Sequence, residues 1–340
     1  MRLLLAQPRG FCAGVERAID TVVTALELFG LPVYVRKQIV HNDTVVRALS
    51  AAGAVFVDDI DAVPPGATLI LSAHGVAPEV YANARGRALN VIDATCPLVT
   101  KVHMEARRFA RERRPTIIVG HREHDEVIGT RGYAPAGTLV VSNAAEAEAA
   151  DLPAGSAPAV LTQTTFSLDD AREIIEVLRR RFPDLVTPAR DDICYATQNR
   201  QAAVREMVKS AEVVLVLGAA NSSNSNRLRD IAAAAGVRAY LLEDLSRLCP
   251  DWLDGVSCIG ITSGASTPEH VVTQIVDHLC ERYDATVEIV EVAREDVTFA
   301  PPAELMRMTR NGAGRVPTVR RAGARRPSRP ADPKGADGGR

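Results

Sequence analysis

The chain has 340 residues, 46% of them hydrophobic, 24% charged and only 4% aromatic. That mixture can fill the cores of two or three domains, and it excludes a chain disordered throughout or a disulfide-stapled miniature fold. The formal net charge of −2 hides an asymmetry: residues 306–340 hold ten Lys/Arg against two Asp, and residues 1–305 hold thirty Lys/Arg against forty Asp/Glu.

Short runs of Val, Ile and Leu alternate with helical patterns along the chain. In order, strands are expected at 2–7, 32–35, 54–57, 68–72, 116–120, 139–142, 159–162, 213–217, 239–242 and 256–262. Most are continuously apolar, as parallel strands buried on both faces are, so the fold class expected is α/β with mainly parallel sheets. Helices alternate with them. Val15, Ala18, Ile19, Val22, Val23 and Leu26 repeat at helical spacing, and so do Val272, Ile275, Val276 and Leu279 after a Thr267-Pro268-Glu269 start. No run approaches the ~18–20 apolar residues needed to span a bilayer, and Met1-Arg2 leads into no signal-peptide pattern. A cytoplasmic setting is expected, with thiols reduced, metal-bound or buried.

Three of the six cysteines share one context. Cys12, Cys96 and Cys194 each follow a strand or a polar turn and open a helical pattern. They divide the chain into three expected α/β modules, 1–96 (with the N-terminal strand and the Cys12 helix), 97–193 and 194–282. A return segment follows at 283–305, then a basic tail at 306–340 that is expected to be disordered because it has few large apolar residues. A helix N-terminus favours thiolate. Three such thiolates could hold an iron–sulfur cluster with one iron left open, or zinc, or could be separately buried thiols. Spacing alone leaves all three readings open. Cys249, Cys258 and Cys280 lie outside the pattern and read as ordinary small hydrophobes.

The loops after the strands are unusually polar: His41-Asn42, Ser72-Ala73-His74-Gly75, Gly120-His121-Arg122-Glu123-His124-Asp125-Glu126, Thr162-Gln163-Thr164-Thr165, Asn221 through Asn226, and Thr262 through Thr267. The C-terminal ends of parallel strands are where α/β proteins bind ligands. So many hydroxyl, amide and imidazole groups, with some loops running into helix N-termini, suit an anion and phosphate above all. Walker A and GxGxxG patterns are absent from the sequence, so a nucleotide cofactor is not indicated. His121-x-x-His124-x-Glu126 could contribute to a zinc site, and Glu126 beside an anion site is a natural proton donor.

These segments together resemble the 4-hydroxy-3-methylbut-2-enyl diphosphate reductase (LytB/IspH) family. The matching stretches are Gly10-Phe11-Cys12-Ala13-Gly14-Val15, His41-Asn42, Ser72-Ala73-His74-Gly75-Val76, Asp93-Ala94-Thr95-Cys96-Pro97-Leu98-Val99, Gly120-His121 through Glu126-Val127 and Gly129-Thr130, Thr162-Gln163-Thr164-Thr165, Asp192-Ile193-Cys194-Tyr195-Ala196-Thr197, Asn221 through Arg227, and Ser263-Gly264-Ala265-Ser266. The resemblance implies three α/β modules around a [4Fe-4S] cluster on Cys12, Cys96 and Cys194, with the fourth iron open to the substrate hydroxyl. It implies that His41, His74, His124, Ser222, Ser223, Asn224 and Ser266 surround a diphosphate, that Thr164 lies beside the substrate, and that Glu126 delivers protons. The implied reaction is reductive dehydroxylation of an allylic diphosphate, with ferredoxin or flavodoxin as electron donor. The basic tail lies outside the family pattern, and its charge could give a weak contact with nucleic acid or with an acidic donor. Two other readings stand beside the reductase: a zinc-dependent hydrolase, and an RNA-binding protein acting through the Arg-rich tail.

Overall fold

The computed structural model describes residues 1–153 and 155–310. The chain opens with β1 (Arg2–Gln7), α1 (Ala13–Phe29), β2 (Val33–Arg36), α2 (Asp43–Ala51), β3 (Ala54–Val57), β4 (Thr68–Leu71), α3 (Pro78–Gly86) and β5 (Asn90–Asp93). There follow α4 (Pro97–Arg111), β6 (Thr116–Val119), α5 (Asp125–Tyr133), β7 (Leu139–Val141), α6 (Ala144–Glu148), β8 (Ala159–Thr162) and α7 (Leu168–Arg181). The last part holds α8 (Tyr195–Met207), β9 (Val213–Leu217), α9 (Ser223–Ala234), β10 (Arg238–Leu242), β11 (Cys258–Ser263), α10 (Glu269–Tyr283), β12 (Thr286–Glu291) and α11 (Ala303–Arg310).

Three sheets result, with strand orders β3-β2-β4-β5, β7-β6-β8 and β10-β9-β11-β1-β12. Every pairing of these strands is parallel. The continuous apolar runs have the expected cause: alternate residues of one strand feed two cores. Val213, Leu215 and Leu217 of β9 face one cluster while Val214 and Val216 face another. Ile117 and Val119 of β6 are separated from Ile118 in the same way, and Leu69 and Leu71 of β4 from Ile70. The α/β class with parallel sheets is as the sequence indicates.

The sheets divide the chain differently from the expected modules. β1 pairs with β11 and β12, so the N-terminal strand belongs to the sheet of the third module. Leu3, Leu4, Leu5 and Ala6 are all buried, and only a position between two strands covers both faces and both edges of such a segment. The return segment supplies β12, an edge strand whose side chains are mostly exposed. The tail boundary moves as well. Residues 306–310, expected to be disordered, belong to α11, and Leu305 is buried in the core formed by α1, β2 and their neighbours. Residues 311–340, most of the basic tail, lie outside the described residues. Among the described residues no helix is long and apolar enough to cross a membrane.

Candidate functional site

Parallel sheets put their strand C-termini, and the loops that follow, at one end, and here the three sheets direct those loops to a common cavity. It is lined by Cys12, Cys96 and Cys194, by His41, His74 and His124, by Glu126 and Thr164, and by Ser222, Ser223, Asn224 and Ser266. Every residue that the resemblance assigned to the site therefore lines one cavity. His121 does not. It is exposed, and its ring lies against Phe166 at 5.2 Å between centroids. Among the described residues no three-ligand set includes it.

The three cysteines are the N-caps of α1, α4 and α8. A loop that carries other site residues fixes each backbone. Cys12 N–H donates to Ala265 O (3.2 Å), Cys96 N–H to Ala73 O (3.0 Å) and Cys194 N–H to Thr164 O (3.0 Å). The Cys194 sulfur also receives the Thr197 N–H at 3.4 Å and lies 3.1 Å from its hydroxyl. Burial pushes the Cys96 thiol up to about 12 and the Cys194 thiol up to about 11, and raises that of Cys12. These thiols are protonated at neutral pH on their own, so they are poor nucleophiles, and a bound metal must displace their protons.

The donor set fits a multi-iron group. A Cβ built on Gly14 would stand 2.7 Å from Cys96 Sγ and 3.8 Å from Cys12 Sγ, so glycine is what lets α1 approach the sulfurs. Among the described residues, the one His/Cys/Asp/Glu set with ligand atoms all within 4.8 Å of one another is His41, His74 and Asp125. The sulfurs stand wider than that. A single tetrahedral zinc with ~2.3 Å bonds would need them roughly 3.8 Å apart.

The anion side of the cavity is built from imidazoles and a helix start. His41 and His74 stack at 4.0 Å, and His124 meets both edge-on at 5.5 and 5.8 Å. Burial lowers all three imidazoles, His124 to about 4, so they are neutral at pH 7. His124 caps α5 by accepting the Glu126 N–H on Nδ1 at 3.2 Å, which leaves its Nε2–H free to donate. Ser222 caps α9 by accepting the Ser225 N–H. Asn224, in the first turn of α9, has both side-chain polar atoms buried without a partner. Such atoms are costly unless a ligand or water completes them. The Ser266 hydroxyl donates to His41 O at 2.9 Å and ties two of the loops together.

Glu126 is 2% exposed. Its carboxylate accepts the Thr164 N–H at 2.6 Å and the Thr164 hydroxyl at 2.8 Å. Burial raises it to about 7 despite those hydrogen bonds, with Asp192 adding to the rise. It is therefore poised to hold and release a proton near neutral pH.

The sequence reading missed several contributors. Thr165, Tyr195 and Phe299 also line the cavity, Phe299 from an irregular stretch with no pattern to reveal it. Arg200, 0% exposed, donates to Gly10 O at 2.8 Å and to Glu295 Oε1 at 3.0 Å. It thereby locks the turn before Cys12 to the helix after Cys194. Lys37, paired with Asp125, signals itself only by its charge beside a His41-Asn42 motif.

Residues 3–280 match the family described as LytB protein. The 4-hydroxy-3-methylbut-2-enyl diphosphate reductase of Acidothermus cellulolyticus is 56% identical over 307 residues, 90% of each chain. The reductase 2 of Bradyrhizobium diazoefficiens is 50% identical over 305 residues, 90% of this chain and 99% of that one. The structure of the E-1-hydroxy-2-methyl-but-2-enyl-4-diphosphate reductase from Plasmodium falciparum superposes with a TM-score of 0.89 at 38% identity, covering 91% of this chain and 98% of that one.

Proposed function

The chain belongs to the LytB protein family, and from that premise we propose that it reduces (E)-4-hydroxy-3-methylbut-2-enyl diphosphate to isopentenyl and dimethylallyl diphosphate, the terminal step of the non-mevalonate isoprenoid pathway. The observation that carries the reading is one cavity lined by three helix-capping cysteines, three neutral imidazoles and a buried carboxyl raised to about 7, which is bonded to Thr164, the acceptor of the Cys194 N–H, and follows the His124 cap of α5. The zinc-hydrolase reading loses support because, among the described residues, the three sulfurs do not all lie within 4.8 Å of one another and His121 stands outside the cavity.

Cys12, Cys96 and Cys194 hold a [4Fe-4S] cluster in this proposal. When bound, the cluster supplies two electrons, received from a ferredoxin or flavodoxin, and an open coordination position for the substrate hydroxyl. The rest is done by this chain. The diphosphate sits among His41, His74 and His124 and against the α9 start, where Ser222, Ser223 and Asn224 present donors and the helix dipole favours negative charge. Ser266 completes the ring of polar groups. With the diphosphate fixed, the hydroxyl end lies towards Thr164 and the cysteines.

Breaking the C–O bond consumes two electrons and one proton and releases water, and a second proton goes to carbon. Hydroxide is a poor leaving group, so general acid help is worth roughly a hundred- to ten-thousand-fold. Glu126 holds that proton, and the Thr164 hydroxyl, bonded to its Oε2, is the path to the substrate side. Protonation of the allyl fragment at either end gives the two products.

The test is anaerobic reconstitution with iron and sulfide, then turnover of the hydroxylated diphosphate with a chemical reductant. Stoichiometric loss of substrate hydroxyl with appearance of the two isomeric diphosphates is expected. Iron-loaded protein that leaves the hydroxyl intact, or instead hydrolyses the diphosphate, would overturn the proposal.

A further inference from the structure

The cavity presents an anion pocket without a formal cation. Its lining contains no Lys or Arg among the described residues, and its imidazoles are neutral at pH 7. A diphosphate with about three negative charges would meet only neutral donors and one helix end. Among the described residues, the ammonium whose charge reaches these imidazoles is that of Lys37. Its charge is felt by all three rings and adds, after burial, to the lowering of each.

Lys37 is not free. Its Nζ pairs with Asp125 Oδ1. Asp125 is the first residue of α5, between His124 and Glu126, and it has a carboxylate oxygen within 4.8 Å of ring nitrogens of His41 and His74. A carboxylate thus stands beside two of the pocket's imidazoles, masked by one lysine. The lysine backbone is held apart from its side chain: Lys37 N–H donates to Val57 O at 2.7 Å, and the residue adopts φ 56°. That is the left-handed region, which L-residues rarely adopt. The anchored backbone leaves the side chain, 33% exposed, able to change partner. Next to it Gln38 accepts the Asn221 amide at 2.8 Å, which ties this loop to the residues leading into α9.

We propose that the Lys37–Asp125 pair is an electrostatic latch of the anion pocket, in which entry of the diphosphate moves the Lys37 ammonium from the Asp125 carboxylate to the phosphate oxygens. Lys37 is then a diphosphate-binding residue, and Asp125 competes with the ligand for it. This rests on the placement of the diphosphate among His41, His74 and His124, which is tested separately below. Charge-assisted hydrogen bonds to phosphate are the strong ones, and an unmasked carboxylate at this range repels the ligand.

The experiment is calorimetric titration of inorganic diphosphate into the cluster-loaded protein at several salt concentrations, for wild type, Lys37→Met, Lys37→Arg, Asp125→Asn and His124→Asn. Lys37→Met is expected to weaken binding about tenfold and to flatten its salt dependence. Lys37→Arg should retain most of the affinity. Asp125→Asn should tighten binding several-fold, because the competitor is gone. His124→Asn should weaken binding whatever Lys37 does. If His124→Asn leaves the affinity unchanged, the placement of the diphosphate fails and the latch with it. If His124→Asn weakens binding while Lys37→Met changes neither affinity nor salt slope, the latch alone fails. Weaker binding in Asp125→Asn would make the pair a structural brace and would likewise overturn it.

Discussion

Replacing Glu126 with glutamine tests the proton delivery most sharply. The glutamine can keep the packing, since its Oε1 can still accept the Thr164 N–H and its amide can donate to the Thr164 oxygen, reversing the present hydrogen bond. It cannot carry a proton. Loss of general acid help predicts a fall in turnover of roughly 10²- to 10⁴-fold, about 3–5 kcal/mol of barrier. Because the carboxyl titrates at about 7, wild-type turnover should decline tenfold per unit at higher pH, and Glu126→Gln should lose that limb. Stability gives a second reading. The folded value lies above the ordinary 4.5, so the folded protein holds this proton more tightly than the unfolded chain does. That contribution is whole below pH 4.5 and is lost as pH rises through about 7, a loss of about 3 kcal/mol. Glutamine removes the penalty, so Glu126→Gln should gain melting temperature over wild type at pH 8 and not at pH 4.5. Turnover within threefold of wild type, or an unchanged alkaline limb, would remove Glu126 from the acid role.

The other expected outcomes bear on the cysteines and on the frame that holds them. Serine at Cys12, Cys96 or Cys194 should abolish stoichiometric iron binding, while Cys249→Ser, outside the cavity, should leave the iron assay unchanged; equal loss in both would break the ligand assignment. Gly14→Ala places a methyl 2.7 Å from Cys96 Sγ, and should cut iron retention during gel filtration while a backbone-neutral Gly86→Ala, with nothing within 4 Å, should not. Arg200→Met strands the Gly10 carbonyl and leaves the Glu295 carboxylate with the Asn199 amide but without its cation, and should lower unfolding free energy by about 2–4 kcal/mol in urea; a change under about 1 kcal/mol would mean that the pair does not frame the site.

Much of the architecture is legible in the chain because its physical signal is local. Strands buried on both faces must be apolar throughout, and those of the three sheets read that way. The strands that escape are the ones whose surroundings relax that demand. β5 starts at Asn90 and ends at Asp93, and β12 keeps its side chains in solvent while its backbone pairs with β1 alone. The membership of β1 in the last sheet has no local signal at all, since it depends on partners more than 250 residues away. The cysteines stand out because each begins a helix in the same way. Glu126 against Thr164, the stacked imidazoles and Lys37 against Asp125 are products of tertiary closure, so the sequence alone offers the residue types without their pairing. His121 shows the reverse: a metal-like spacing in a loop whose ring packs on Phe166 outside the cavity.

The central claim is that three cysteines from three separate helices hold one iron–sulfur cluster beside an acid. The most direct measurement is iron, zinc and acid-labile sulfide per chain after anaerobic reconstitution, with Mössbauer spectra of the same sample. About four irons and four sulfides per chain, all lost in the Cys12/Cys96/Cys194 triple serine variant, is the expected result. One zinc per chain with iron well below stoichiometry, or iron retained by the triple variant, would contradict it.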